Sequence, residues 1–111
     1  MDKGAVNLDR ATVYSVIAYM HQSLAQHGIE DNRIALFGSF LTGNTHEDSD
    51  IDMIVISKLF EGKNILERIK MTTKAELDVR RKFVVPMDIL KMSPEEYEYS
   101  KTAYLNAEIV S

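Results

Sequence analysis

LFGSFLTGNTHEDSDIDMIVIS, residues 36–57, places a polar loop of glycine, hydroxyl and acidic residues between two apolar runs. The run before the loop, residues 33–37, is short and is closed by Gly38, which predicts a buried strand. The run after it, residues 51–57, is rich in Ile and Val and predicts a second strand. Four interpretations of the loop between them are considered: a phosphate-binding loop, a calcium loop, a metal site at a strand start, or only a polar turn that joins two strands.

Two common ion-binding loops do not fit this stretch. Residues 38–45 nearly match the phosphate-binding pattern G-x-x-x-x-G-K-[ST], but Asn44 replaces the lysine that contacts the β- and γ-phosphates. Residues 48–52 begin like an EF-hand loop, but Met53 replaces the glycine of its sharp turn and Leu59 replaces its bidentate glutamate. The metal site and the polar turn therefore remain.

The spacing of Asp50 and Asp52 favours a metal site. Residues two apart in a strand point to the same face and lie roughly 6.5 Å apart along the chain. Two such carboxylates repel each other unless a cation lies between them, and Mg²⁺ is commonly held by one or two carboxylates together with substrate phosphates. A lone Asp-x-Asp pair is more often a cap or a solvated turn. Gly38, which allows close backbone approach, and Ser39, which offers a hydroxyl and an N–H to phosphate, favour the site.

Helical periodicity flanks this central unit on both sides. Residues 8–27 predict a helix with one apolar stripe, formed by Val13, Val16, Ile17, Met20 and Leu24. A second helix is predicted behind Asn64, which forms a capping box with Glu67. The apolar side of that helix is predicted to consist of Ile65, Ile69, Thr73 and Leu77.

The C-terminal part predicts a strand and a last helix. The third strand is predicted from Phe83 to near Leu90, at a sheet edge or bulged at Pro86, because proline donates no ladder hydrogen bond. The last helix is predicted to begin with a Ser93–Glu96 capping box, with Pro94 at its first position and Met92 packing on Tyr97. The order α-β-β-α-β-α predicts an α/β or α+β fold with a small mixed sheet flanked by helices.

Composition narrows the class of protein. With 111 residues, 45% hydrophobic and 27% charged, residues 1–111 are predicted to form a single globular domain. The formal net charge of −4 argues against non-specific nucleic-acid binding, and we expect no direct DNA binding. The absence of cysteine excludes disulfides and thiolate metal sites. No apolar run predicts a signal peptide or a membrane span, so we expect a cytoplasmic protein.

Two segments, FGSFLTG at residues 37–43 and SDIDMIV at residues 49–55, resemble the signature of the DNA polymerase β-like nucleotidyltransferase superfamily, in particular the minimal nucleotidyltransferases. The resemblance implies that Asp50 and Asp52 bind Mg²⁺, with two ions, and that a third carboxylate on a neighbouring strand completes the site. Asp88 is the candidate, since the only later apolar strand carries this one acid; its other interpretation is a strand-end residue. By the same resemblance, Gly38, Ser39 and Ser49 bind the nucleotide, with ATP as the substrate.

The resemblance also implies a function. Family members transfer a nucleoside monophosphate to a hydroxyl group, and Asp88 would help to hold a metal and act as base toward that hydroxyl. Because the chain ends after the catalytic domain, we expect the acceptor on another chain, a helical HEPN-type partner to which this protein is the antitoxin. One departure is Thr42, where the family commonly has an arginine that can bind phosphate with a bidentate fork. An inactive binding module, transfer to a small hydroxyl compound, and homo-oligomers stay open as alternatives.

Overall fold

The computed structural model describes residues 9–38, 50–103 and 107–111. Its elements, in chain order, are α1 (Arg10–Gln26), β1 (Arg33–Phe37), β2 (Ile51–Ile56), a 3₁₀ turn (Lys58–Phe60), α2 (Ile65–Lys82), β3 (Met87–Met92), α3 (Pro94–Ala103) and β4 (Ala107–Ile109). The strands form a mixed sheet in the order β3-β2-β1-β4. β1 is antiparallel to both β2 and β4, whereas β2 and β3 are parallel and are joined by the crossover that contains α2. This architecture confirms the predicted α/β fold with a small mixed sheet.

Helix α1 follows its sequence signals. The Asp9 carboxylate accepts a hydrogen bond from the Thr12 amide at 2.8 Å and caps the first turn. The predicted apolar stripe is buried in full: Val13, Val16, Ile17, Met20 and Leu24. The helix ends at Gln26, with His27 as its C-cap, and Gly28 follows with a φ of 97°. Periodicity therefore identified both the helix and the face that it buries.

Helix α2 begins as predicted but buries a different face. The reciprocal capping box between Asn64 and Glu67 is present, with both hydrogen bonds at 2.8 Å. The residues predicted to form its apolar side do not face the core, because all four are exposed: Ile65, Ile69, Thr73 and Leu77. The residues that α2 does bury are small or β-branched: Thr72, Ala75 and Val79.

Close packing between the two helices explains this difference. The buried Ser23 hydroxyl on α1 donates a hydrogen bond to the backbone carbonyl of Ala75 on α2, at 3.3 Å. A side chain can reach a neighbouring helix backbone only where the facing residues are small. Larger side chains such as Leu77 therefore fall on the outer face of α2, which described residues leave exposed.

The sheet has two unequal faces. The larger core lies between the sheet and helices α1 and α2, and takes Ile51, Met53 and Val55 from β2. The alternate residues Ile54 and Ile56 point to the opposite face, where a smaller cluster forms with Tyr97 of α3. Asp52 shares the parity of Ile54, so it lies on this second, less covered face.

The C-terminal part is partly as predicted. β3 is an edge strand, as Pro86 indicated, but it begins at Met87 rather than Phe83 and continues to Met92. The box at α3 is present: the Ser93 amide donates to Glu96 at 2.8 Å, and the Glu96 amide donates to Ser93 Oγ at 3.3 Å. β4 was not predicted, since three residues are too few for a periodic signal.

No helix among the described residues is long and apolar enough to cross a membrane. The assignment of residues 1–111 to a single domain stays a prediction.

Candidate functional site

Strand register brings two of the predicted acids side by side. In the parallel pair of β2 and β3, Asp52 is aligned with Asp88. Aligned residues on neighbouring parallel strands point to the same face, and the strands lie about 4.8 Å apart. Asp50 precedes β2 by one residue and shares the parity of Asp52. The three carboxylates therefore belong to one face of the sheet, at the end where β2 and β3 begin.

Gly38 closes the site from the side of β1. It follows Phe37, the β1 residue that is aligned with Asp52 across the antiparallel pair. Its φ of 77° lies in the left-handed region, where other residues are strained. A Cβ atom at this position would collide with the Asp52 carboxylate. Glycine is thus required here twice, for the backbone conformation and for the space that the carboxylate occupies.

The electrostatics of the site are those of uncompensated acids. Burial raises the pKa of the half-buried Asp52 carboxyl, and the negative charges of Asp88 and Asp50 raise it further. Among the described residues, no Lys or Arg forms an ion pair with any of the three. The sequence of the loop, residues 39–49, also contains no Lys or Arg. A group of acids with no cation beside it among the described residues is an electrostatic setting that a bound cation would relieve.

The donor set fits a hard divalent cation that brings its own ligands. Within residues 9–38, 50–103 and 107–111, no three His, Asp or Glu side chains form a ready-made metal cluster. Mg²⁺ does not require one, since it commonly takes one or two carboxylates and fills the other positions with water and substrate phosphates. Asp50, Asp52 and Asp88 supply carboxylate oxygens for such an ion, and the metal itself stays a prediction.

The structure does not describe every residue of the predicted site. Ser39, Ser49 and Thr42 fall outside the described residues, so their predicted contacts with nucleotide stay predictions. Phe37, the register partner of Asp52, was not identified from the sequence. Its only sequence signal was its place in the matched motif, next to Gly38.

A second polar cluster lies at the contact between α1 and α2, on the other face of the sheet. Asp78 Oδ2 accepts a hydrogen bond from the Ser23 hydroxyl at 3.0 Å and lies 2.8 Å from His27 Nε2. These two contacts hold the pKa of the Asp78 carboxyl below its usual range, with the His27 contact contributing most. Because Ser23 donates to the carboxylate and not to His27, the three residues do not form a nucleophile–base pair. They link two helices.

Comparisons with known proteins agree with the geometry. A family model described as a nucleotidyltransferase domain matches residues 19–107. The fold resembles the crystal structure of a proposed nucleotidyltransferase from Sulfolobus solfataricus, with a TM-score of 0.61 and 15% identity over 97% of this chain and 90% of that one. A second proposed nucleotidyltransferase structure gives a TM-score of 0.54 and 19% identity over 88% of this chain and 96% of that one.

At these identities the two structures show the fold alone. No curated protein matches the sequence at a significant level. The family model spans most of the chain and includes the segment between Gly38 and Asp88 that the geometry singles out. The chain belongs to the nucleotidyltransferase domain family.

Proposed function

We propose that this protein is a Mg²⁺-dependent nucleotidyltransferase that transfers AMP from ATP to a hydroxyl group on a partner protein. The observation that supports this most is the alignment of Asp52 with Asp88 on one sheet face, with Gly38 packed against the Asp52 carboxylate. A carboxylate kept half-buried among like charges is costly for a protein that uses it only for structure. Perturbed acids of this kind are concentrated at functional sites.

The position of each residue indicates its role in metal binding or in phosphate binding. Asp50, Asp52 and Asp88 would hold Mg²⁺, which supplies neutralisation of the triphosphate charge when it is bound. Gly38, together with Ser39 and Ser49 by family resemblance, would lie against the nucleotide phosphates. The absence of a side chain at Gly38 lets a phosphate approach the backbone closely.

The reaction is a substitution at the α-phosphorus of ATP. The acceptor hydroxyl oxygen forms a bond to that phosphorus, the bond from the phosphorus to the oxygen bridging to the β-phosphate breaks, and pyrophosphate leaves. The hydroxyl proton passes to a carboxylate or to water. Asp88 is the better placed acceptor of this proton, because it is exposed on the edge strand whereas Asp52 is half-buried one strand further in.

The nature of the acceptor rests on the resemblance to minimal nucleotidyltransferases. It supports a helical HEPN-type partner, with this protein as its antitoxin. Each AMP attached to a Tyr, Ser or Thr hydroxyl would add a negative phosphodiester charge, which weakens any nearby surface that binds RNA phosphates.

The test is intact-mass spectrometry of the expected helical partner, sought as the product of the adjacent gene, after incubation with the purified protein, ATP and Mg²⁺. We expect a mass increase of one or more AMP units, which Asp52→Asn abolishes and Glu30→Gln, a change at an exposed acid away from the site, leaves intact. Calorimetry with Mg²⁺ and a non-hydrolysable ATP analogue should show binding that the double variant Asp50→Asn, Asp52→Asn loses. Unchanged binding in the double variant would contradict the metal site.

A second function is favoured by one residue. Thr42 lacks the charge of the family's usual arginine, which weakens triphosphate binding and favours a module that neutralises its partner by binding alone. Neutralisation of the partner without any gain in mass would establish this function and reject transfer to the partner. Transfer to a small hydroxyl compound is distinguished by AMP release into the low-molecular-weight fraction.

A further inference from the structure

We propose that the outer edge of β3 is a docking site for an extended segment of the acceptor protein, which adds to the sheet as a strand and presents its hydroxyl residue to Asp88. The part of the proposal that concerns the hydroxyl rests on the proposed function. The docking itself rests on the backbone and the groove beside it.

The backbone of β3 has one side turned away from the sheet. β3 pairs with β2 alone among the described strands. The Pro86 and Met92 carbonyls accept hydrogen bonds from the amides of Ile51 and Ser57, at 2.9 and 3.1 Å. Backbone groups alternate in direction along a strand, so residues of odd number, from Met87 to Lys91, direct theirs to the outer edge.

Described residues close one end of this edge and leave the other end open. The Lys91 carbonyl accepts a hydrogen bond from Arg68 Nη1 at 3.0 Å, and the same guanidinium is held by Glu96 at 2.6 Å. The outward groups of Met87 and Ile89 flank Asp88, the candidate proton acceptor. An uncovered strand edge is a template for pairing with another extended chain, and proteins commonly protect such edges. In β3 the edge is covered at Lys91, but this cover does not extend to Met87 and Ile89, which flank Asp88.

A groove accompanies the edge. A cavity of about 240 Å³ is lined by all four residues from Ile89 to Met92. Since successive strand residues point to opposite faces, a cavity that touches four in a row lies beside the strand edge. Its outer wall comes from α2, where Ile65 is 77% exposed and Ile69 is 42% exposed. These are apolar side chains that described residues leave largely uncovered.

The groove continues on the face that carries the acids. An adjoining hollow is lined by Met92 and by Tyr99 of α3, and Tyr99 is 70% exposed. Met92 and Asp88 are four residues apart, so they share a face and lie about 13 Å apart along the strand. A segment paired with the open groups of Met87 and Ile89 would therefore carry a hydroxyl residue beside Asp88. Beyond the closed end at Lys91, where it no longer pairs, an apolar residue four positions away would lie against Met92 and Tyr99.

A second copy of this chain fits the edge less well than such a segment. In an antiparallel two-fold pairing of β3 with itself, the outward groups of Met87 would meet those of Lys91, whose carbonyl Arg68 already occupies. Only the pairing at Ile89 would remain. A nucleic acid is also disfavoured, because the basic side chains in the groove are compensated: Arg68 by Glu96 and Lys91 by Glu76, at 2.6 and 2.9 Å.

The test compares two substitutions at Ile89. Ile89→Pro removes the outward N–H, which takes no part in pairing with β2, whereas Ile89→Ala removes more side chain and keeps the N–H. The probe is a set of fluorescent nonapeptides with one central Tyr, Ser or Thr and a Leu four positions before or after it. We expect anisotropy to show binding to the wild type and to Ile89→Ala, and at least tenfold weaker binding to Ile89→Pro.

A second measurement keeps the test independent of the folding of the proline variant. Peptides N-methylated at the positions that flank the hydroxyl residue lose the N–H groups needed for strand pairing and should bind the wild type at least tenfold more weakly. Equal binding of methylated and unmethylated peptides, equal binding to wild type and Ile89→Pro, or no binding of any peptide to the wild type would each overturn the docking site.

Labelled ATP and Mg²⁺ separate this proposal from the proposed function. Peptides that bind at the edge but gain no AMP would leave the docking site standing and count against transfer to proteins. Peptides that gain AMP at the same rate with wild type and Ile89→Pro would support the transfer and overturn the docking site.

Discussion

Asp78 and Asp52 are two partly buried carboxylates of the same chain with opposite environments. At the contact between α1 and α2, Asp78 accepts a hydrogen bond from Ser23 and contacts His27, and its pKa is lowered. At the start of β2, Asp52 lies beside two further acids and its pKa is raised. The first carboxylate stabilises the fold in its charged form, whereas the second is charged at a cost to the fold.

The difference between these two environments indicates which carboxylate is the candidate for function. A structural carboxylate is surrounded by donors, and the free energy of folding improves when it ionises. Asp52, to which no described residue donates a hydrogen bond, is held in place by strand register and by a glycine, and its charge is available to a ligand. Asp78 and Asp52 lie on opposite faces of one sheet, so a substitution at one can serve as the control for a substitution at the other.

The largest expected effect is that of Asp52→Asn on activity. Nucleotidyl transfer should fall on the order of 10³-fold or more, as expected when a central charged group of an active site is lost. The same variant, free of metal, should unfold at a higher temperature than the wild type at neutral pH, because it removes a charge that burial, Asp88 and Asp50 all disfavour. Calorimetry checks the second outcome, and a lower unfolding temperature would count against the electrostatic account.

Two glycine substitutions compare the regions directly. Gly38 and Gly28 both have positive φ, 77° and 97°, so alanine at either position costs about 1–2 kcal/mol of backbone strain. At Gly38 the new Cβ also meets the Asp52 carboxylate, whereas at Gly28 nothing lies within 4 Å.

Gly38→Ala should therefore destabilise the protein more than Gly28→Ala in urea unfolding. It should also abolish transfer, which Gly28→Ala should preserve. Equal losses of activity in the two variants would show that the space beside Asp52 has no special role.

A smaller effect is expected at Ser23. Ser23→Ala removes a buried hydroxyl that donates to Asp78 and to the Ala75 carbonyl, and should cost about 1 kcal/mol of unfolding free energy. Activity should not change, since the α1–α2 contact lies on the other face of the sheet. Denaturant unfolding and a transfer assay on the same sample test both statements, and a loss of activity without a loss of stability would contradict them.

The smallest effect is a difference in pH dependence, and its sign differs between the two acids. The folded pKa of Asp78 is depressed, so its stabilisation is present above the unfolded value of about 3.9 and is lost as pH falls through the folded value. The folded pKa of Asp52 is raised, so its destabilisation is present at neutral pH and is relieved as pH falls toward about 4.

Unfolding free energies measured from pH 7 to pH 3 should therefore show differences from wild type that have opposite signs for the two variants. The advantage of wild type over Asp78→Asn should shrink below about pH 4, where the wild-type carboxyl takes up its proton. The advantage of Asp52→Asn over wild type should shrink on the way from pH 7 to about pH 4. Curves of the same sign for both pairs would remove the distinction between the two carboxylates.

The two long helices show how much of the fold could be predicted from the sequence. In α1 the stripe from Val13 to Leu24 is buried as its period indicates, because large apolar side chains face the sheet. In α2 the same kind of pattern, from Ile65 to Leu77, faces outward, while Ala75 and Val79 are buried. Periodicity identifies a helix from local chemistry, but the buried face depends on which neighbour packs against it, here the close backbone approach of α1.

The candidate site, too, could be predicted from the sequence only in part. The strand period of two is enough to place Asp50 and Asp52 on one side of a strand. The motif resemblance indicates a nucleotidyltransferase domain, which the family model confirms, whereas the minimal subfamily stays a prediction. Asp88 could be named only as the one acid on a later strand. Its alignment with Asp52 depends on the register of two parallel strands, which the length and packing of the crossover determine and no short stretch of sequence encodes.

That register has a consequence for folding. Asp52 and Asp88 come together only after α2 has packed and β3 has joined the sheet, a contact between segments far apart in the chain, and such contacts form late. A chain with native helices but an undocked β3 would lack the Asp88 carboxylate beside Asp52, and its metal site would be incomplete. The ability to bind Mg²⁺ with nucleotide would then report completed folding of the sheet more directly than helical content does.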